Sequence, residues 1–140
     1  MPKIAYKIYS NIEKIDKLEW DTVFGSIPEG YSFFKALQSS EFAEFRFYYL
    51  VIELDNDIVS IAPLFSADFN LDIAVEGWSS KFIKSIRKVF PRFLIIKTLF
   101  CGSPFGEYGV LGIKQSFKDN PGIIPALLKG IKDCGIRVKA

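Results

Sequence analysis

The feature that most constrains the fold is a β-hairpin pattern near the middle of the chain. Residues Arg46–Leu54 are dominated by β-branched and aromatic side chains, which favour an extended strand. The segment 55–57 (Asp-Asn-Asp) follows with the side chains that tight turns prefer. Residues 58–65 return with the same strand character, and Pro63 within them predicts a bulge or a sheet edge. The chain must therefore build a sheet around this antiparallel pair.

Strand and helix periodicities flank the hairpin on both sides. Residues 3–9 alternate like a short strand, with Ile4, Tyr6 and Ile8 on one face. The segment 68–77 shows no clear pattern. The remaining pattern predicts helices over 12–24, 31–42, 81–90 and 123–134, a strand over 93–101, and the start of another strand at 136–140.

Apolar spacing assigns faces to these helices. The first ends at Gly25, the second begins with Ser32 as its N-cap, and the fourth is closed by Gly135. The third is amphipathic, with basic residues on its other faces, and Pro91 stops it. In chain order, the apolar positions are Ile12, Ile15, Leu18 and Val23; Phe33, Phe34 and Leu37; Phe82, Ile83, Ile86, Val89 and Phe90; and Ile124, Leu127, Leu128 and Ile131.

Composition indicates a single globular domain over residues 1–140. Hydrophobic residues make up 49% of the chain and charged residues 24%, which suits a domain with a sizeable core. The net charge of +2 is too small to favour a nucleic-acid partner. Aromatic residues reach 16%, so many rings must be buried or must mark surfaces that meet another chain. Trp20 and Trp78 are interpreted as packing anchors.

Scarce residue types exclude several kinds of site. The absence of histidine excludes a histidine-based catalytic triad and a histidine zinc site. Cys101 and Cys134 are too few for a four-thiolate site, so no metal is predicted, and a disulfide between them stays open. The first residues lack the apolar core of a secretory signal, and no apolar run reaches about 18 residues. The predicted compartment is therefore the cytoplasm.

A glycine-rich loop follows the last strong strand. Four glycines, Gly102, Gly106, Gly109 and Gly112, fall within eleven residues, and a helix start follows at 120–122. Glycine lets the backbone approach a ligand, and a helix N-terminus offers unpaired N–H groups to an anion. The loop is thus a candidate phosphate-binding loop, although a turn-rich connection that holds nothing has the same composition. It matches neither the Rossmann fingerprint nor the P-loop.

The order of these elements and four short motifs resemble a known family. The motifs are Trp20, residues 31–38 (Tyr-Ser-Phe-Phe-Lys-Ala-Leu-Gln), residues 61–65 (Ile-Ala-Pro-Leu-Phe) and residues 101–106 (Cys-Gly-Ser-Pro-Phe-Gly). Together they are similar to the first half of a GNAT-type acyl-CoA N-acyltransferase, in its FemAB-like bacterial branch. This resemblance implies an α/β (α+β) fold in which helices flank a mixed, mainly antiparallel sheet.

The resemblance also implies a reaction and a cofactor site. An acyl group would pass from acyl-CoA or acetyl-CoA to the amine of a small molecule or peptide. Backbone amides after the fourth strand would hold the pyrophosphate, which assigns cofactor binding to Gly102, Ser103, Gly106, Gly109 and Gly112. The usual basic or Gln residue leading into G-x-G/A is absent, and the glycine spacing departs from the family pattern.

Candidate catalytic groups are few. An amine must lose a proton before it attacks a thioester, and without histidine a carboxylate acting through water is the natural base. Glu107 and Tyr108 on the loop are the candidates, although a loop carboxylate is usually only solvated. Cys101 fits a small buried hydrophobe better than a nucleophile, because no base lies near it in the sequence.

Two further hypotheses come from other functional classes. The expected strand at 136–140 stops after a few residues, so the chain is interpreted as the front part of a larger fold that lacks a C-terminal half. Such a half-domain would complete its sheet by pairing through an edge with another copy or another protein. Alternatively, the basic helix 81–88 would contact a membrane surface.

Overall fold

The computed structural model describes residues 2–71 and 78–140, with the side chains of 78–80 outside the description. It confirms an α+β fold. Two 3-10 helices lie at Ile12–Lys14 and Gln115–Phe117. The remaining elements are β1 (Ile4–Tyr9), α1 (Lys17–Phe24), α2 (Tyr31–Ser39), β2 (Arg46–Leu54), β3 (Asp57–Asn70), α3 (Trp78–Arg87), β4 (Ile95–Cys101), β5 (Gly112–Ile113) and α4 (Ile123–Val138).

The strands form one sheet in the order β1-β2-β3-β4. Each ladder between described residues is antiparallel, so the expected parallel component of a mixed sheet is not seen there. The central hairpin is confirmed, with Asp55 and Asn56 both at positive φ (51° and 74°) as a two-residue type I′ turn requires. The second hairpin strand is longer than the predicted 58–65, because Ser66 to Asn70 continue it by pairing with β4.

Pro63 marks a gap in the sheet rather than a bulge. The ladder irregularity lies instead between Ile52 and Glu53 of β2. The carbonyl of Pro63 accepts a hydrogen bond from the N–H of Gly102 at 2.8 Å, and β5 rejoins β3 only at Ser60 and Ile61. Because N–H and C=O of a strand residue point to the same neighbour, the absent N–H of Pro63 faces the gap between β4 and β5.

Helices cover both faces of the sheet and make three layers. Along β2, Tyr49 and Val51 pack in one core cluster with residues of α1 and α2, whereas Leu50 and Ile52 pack in a second cluster with residues of α4. This explains why β2 is an uninterrupted apolar run rather than an alternating one. Trp20 is fully buried and is the predicted packing anchor, with ring contacts to Phe24, Tyr31, Phe34 and Tyr49.

The predicted helix over 12–24 is broken in the structure. Asn11 caps the 3-10 helix, Ile15 is extended, and the side chain of Asp16 accepts from the N–H of Leu18 to start α1. The break changes the phase of the apolar stripe, so Leu18 is 75% exposed although it was expected to face inward. Ile12 and Ile15 are buried as predicted, and Gly25 ends α1 at a positive φ of 67°.

The second and third helices also differ from their predicted bounds. Gly30, not Ser32, is the N-cap of α2, which ends at Ser39 instead of 42. In α3, Ile83 is buried, but Phe82 is exposed on the predicted apolar face. The helix ends at Arg87, so the expected helical positions 89 and 90 lie after it. The Nε of Arg87 donates to the carbonyl of Phe93 at 2.9 Å.

The expected strand at 136–140 is wrong. Helix α4 continues through Gly135 to Val138, because Cys134 and Val138 pack in the same core cluster as the sheet residues. Lys139 then adopts the left-handed conformation (φ 59°), and the N–H of Ala140 bonds to the carbonyl of Gly135 at 2.9 Å. This is a Schellman-type helix end. Of the unassigned segment 68–77, residues 68–70 complete β3, and 72–77 lie outside the described residues.

Candidate functional site

The glycine-rich loop leaves the sheet at Gly102 and returns at Gly112. Gly102 has φ +113°, and a Cβ on it would lie 3.0 Å from the nitrogen of Val110, so only glycine suits this crossing of the loop over itself. A Cβ on Gly112 would lie 2.5 Å from the side chain of Val23 and 2.8 Å from that of Phe24. These two glycines thus permit close packing inside the protein, independently of any ligand.

A carboxylate lies against the middle of the loop. A Cβ on Gly106 would be 2.7 Å from Oε1 of Glu29 and 3.1 Å from Oγ of Ser103. Ser103 is only 6% exposed, and neither its Oγ nor the buried Oε2 of Glu29 has a hydrogen-bond partner among the described residues. The segment 25–30 between α1 and α2 carries Glu29 to this place. In the sequence, residues 28–30 (Pro-Glu-Gly) have the composition of a turn, which gives no reason to connect them to the loop.

The second half of the loop carries backbone N–H groups without partners. Within the described chain, the amides from Glu107 to Leu111 make no hydrogen bond, whereas that of Gly106 bonds to the carbonyl of Ser103 at 3.3 Å. Such N–H groups must be satisfied by solvent or by a ligand. The loop is therefore not closed by internal hydrogen bonds.

A groove of about 350 Å³ runs beside the part of the loop from Gly109 to Leu111. One wall is apolar and comes from the end of α1 and the residue Ile27, and the other is the loop backbone, with Lys118 as the cation. Helix α4 begins where predicted, but β5 and a 3-10 helix separate it from the loop, and its N-cap Gly122 packs against the side chain of Ile4. The groove residues are Val23, Phe24, Ile27, Gly109, Val110, Leu111, Gly112, Ile113 and Lys118.

The other predicted site residues lie near the loop without forming a cluster. Tyr108 is 81% exposed and Glu107 is also exposed, with no ion pair to either in the described part of the chain. Cys101 was expected to be buried but is exposed, because β4 is the last strand of the described sheet. Its Sγ lies 3.4 Å from the carbonyl of Val110, and partial desolvation raises the pKa of the thiol, which disfavours a nucleophilic thiolate. Cys134 is buried, and both thiols are free.

A continuous chain of phenylalanine rings connects the loop to the sheet. Phe105 of the loop contacts Phe42 and Phe45, and Phe65 stacks on Phe100 with ring centroids 4.9 Å apart. Within the aromatic segment 45–49, Phe45 packs against Phe47 and Phe65, and Tyr49 is fully buried. In full, the chain comprises Phe42, Phe45, Phe47, Phe65, Phe69, Phe100 and Phe105.

The described residues show neither a metal-binding cluster nor a membrane-spanning helix. Over 2–71 and 78–140, no three acidic, cysteine or histidine side chains are grouped so as to hold a metal ion. The helices of this part of the chain include none with the length and apolar character needed to cross a bilayer. Comparisons with protein-family models, curated proteins and solved structures yield no match to the chain.

Proposed function

We propose that the groove beside the glycine-rich loop binds acyl-CoA and that the chain transfers its acyl group to an amine. The observation that supports this proposal is the combination of unpaired amides from Gly109 to Leu111 with the cation of Lys118 along one groove. Successive backbone N–H groups and a lysine are the partners that phosphate oxygens require. The volume of about 350 Å³ lies within the range of small-molecule sites.

The two walls of the groove suit different parts of acyl-CoA, the acyl carrier. The apolar side chains of Val23, Phe24 and Ile27 suit the uncharged arm of the carrier, while the loop amides and Lys118 suit its phosphates. The loop glycines Gly102 and Gly112 act through packing in this scheme, and Gly109 lies in the groove itself.

Glu29 is the proposed proton acceptor for the reaction. An acceptor ammonium must lose one proton before its nitrogen attacks the thioester carbonyl carbon, and the thiolate of CoA then leaves. The carboxylate of Glu29 forms no ion pair in the described chain and touches the loop at Gly106, next to the buried hydroxyl of Ser103. Glu107 remains the alternative carboxylate on the loop.

Calorimetric titration with acetyl-CoA and with CoA tests this proposal. We expect binding that weakens at least about fivefold in Lys118→Ala, because one charge-assisted contact to phosphate is worth about 1 kcal/mol or more. Lys132→Ala is the matched control, since Lys132 is an exposed lysine of α4 outside the groove. The absence of heat at millimolar acetyl-CoA, or equal weakening by both variants, would contradict the proposal.

A second candidate function is the binding of a strand from another chain at β4. The N–H of Gly102 bonds to the carbonyl of Pro63, and the N–H of Leu71 bonds to the carbonyl of Leu94. Because backbone groups alternate along a strand, even-numbered residues of β4 therefore point these groups toward β3 and odd-numbered residues point them outward. No strand of the described residues pairs with that outer side, and Ile96 is 50% exposed.

Strand addition can be measured with a synthetic peptide carrying residues 94–101 with Cys101→Ser. We expect the peptide to slow hydrogen exchange at the outward amides of Lys97 and Leu99, whereas the amide of Ile95 already bonds to the carbonyl of Arg92. In Lys97→Pro, one outward N–H is removed without loss of a bond to β3, so peptide binding should weaken. Unchanged exchange in the presence of saturating peptide would refute strand binding at β4.

A further inference from the structure

We infer that the partner at the β4 edge is a second copy of this chain, paired antiparallel about a two-fold axis through Thr98. The inference rests on the second proposed function, the acceptance of a strand at β4. It adds the identity of the strand, its direction and its register.

Backbone geometry limits the register. Among the described residues, the outward N–H and C=O groups of Lys97 and Leu99 are without partners. The N–H of Ile95 bonds to the carbonyl of Arg92, and the carbonyl of Cys101 lies close to Gly109. The hydrogen-bonded pairs between two copies must therefore join odd-numbered residues. A two-fold axis must then pass through a residue and not between residues. Of the possible axes, only the one through Thr98 pairs Lys97 with Leu99, the residues of β4 whose outward N–H and C=O both lack a partner in the described chain.

Charge supports the same register. Lys97 is the only charged residue of β4. An axis through Lys97 would place the two ammonium groups directly opposite each other, which destabilises a strand pair. The axis through Thr98 places Lys97 opposite Leu99 and brings the two Thr98 side chains together, a favourable cross-strand pair.

Exposed apolar side chains of β4 also contact each other in the register with the axis through Thr98. Ile96 and Phe100 lie on one face of β4, the face on which Phe100 contacts Phe65 and Phe69. In the Thr98 register, Ile96 of one copy is opposite Phe100 of the other, which is a stabilising aromatic and β-branched pair. Pairing therefore covers Ile96, which is 50% exposed in the single chain, with Phe100 of the other copy.

Disulfide cross-linking tests the register. In a Cys101→Ser background, Thr98→Cys places two thiols in a non-hydrogen-bonded pair, where Cα atoms are about 4.5 Å apart and a disulfide fits. Ile96→Cys is the matched control, because its two copies would be four residues apart along the paired strands, or about 13 Å. Under oxidation by copper phenanthroline, we expect Thr98→Cys to form covalent dimers at least about tenfold faster than Ile96→Cys.

Light scattering during size-exclusion chromatography tests the association itself. We expect a dimer of the unmodified chain at millimolar concentration and a monomer for Lys97→Pro. Equal cross-linking of the two cysteine variants, or a monomer at every concentration, overturns the self-pairing. If the peptide protects the outward amides but the chain stays monomeric, strand binding at β4 is supported and self-pairing is contradicted. If the peptide gives no protection and the chain stays monomeric, both proposals are contradicted.

Discussion

Replacing Tyr49 by Phe should stabilise the protein. Tyr49 is fully buried between β2 and the helices α1 and α2, and its hydroxyl has no hydrogen-bond partner in the described residues. A buried hydroxyl without a partner costs about 1–3 kcal/mol, because it has lost its water without compensation. Phenylalanine removes that cost and keeps the ring contacts to Trp20 and Phe34.

The expected gain is about 1 kcal/mol in the free energy of unfolding, or about 3 °C in Tm for a domain of this size. Guanidinium and thermal unfolding followed by circular dichroism measure both quantities. Tyr31→Phe is the matched control, since the Tyr31 hydroxyl donates to the carbonyl of Ile12 at 3.4 Å and its removal should be neutral or destabilising.

The same substitution should change stability at alkaline pH. Burial, and to a lesser degree the neighbouring Tyr31, raise the pKa of Tyr49 well above its ordinary value. The folded state therefore keeps the phenol proton while the unfolded state loses it above about pH 10, and stability falls by up to about 1.4 kcal/mol per pH unit from this residue. Tyr49→Phe should remove that part of the slope. A variant that is less stable than the parent by 1 kcal/mol or more, or that keeps the full alkaline slope, would refute the reasoning.

Three further substitutions test the loop and the helix start. Gly106→Ala should push the carboxylate of Glu29 off the loop and lower stability by about 1–3 kcal/mol, and Glu29→Ala in the same chain should recover most of it, both measured by denaturant unfolding. Gly102→Ala should cost more than Gly106→Ala in the same assay, because its positive φ adds backbone strain to the contact with Val110; an equal cost would argue against that strain. Asp16→Ala should lower Tm by a few degrees through the loss of an N-cap worth about 1 kcal/mol, whereas Asp16→Asn should not.

The central hairpin was predictable because its signals are local. The strand Arg46–Leu54 has its predicted bounds, since β-branched and aromatic side chains and the turn residues beside them act over a few positions. The break at Ile15 was not predicted, because an N-cap at Asp16 competes with continuous helical periodicity and the outcome depends on tertiary packing. The extension of α4 past Gly135 likewise depends on contacts with the sheet.

The candidate site was predictable only in part. Glycine composition identified the loop, but the reasons for Gly102 and Gly112 are contacts with the loop itself and with α1. Glu29 was not predicted as a site residue, because it contacts Gly106, which is distant in the sequence, and no local pattern encodes such a contact. The groove could not be predicted for the same reason, because Lys118 and Ile27, which both line it, are distant in the sequence.

Pro63 of β3 lies at the point where the loop and its groove leave the sheet. Pro63 has no N–H to donate to Gly102, the residue that follows β4, so the ladder between β3 and β4 weakens at this point. Pairing with β3 resumes only at Ser60 and Ile61, where β5 begins. Between Gly102 and Gly112 no described residue of the loop pairs with a strand, so the sheet ladder does not fix the length of this excursion. Exposed side chains of the excursion, such as Tyr108 and Leu111, can therefore be exchanged for a new ligand, whereas Gly106 lies against Glu29 and is fixed.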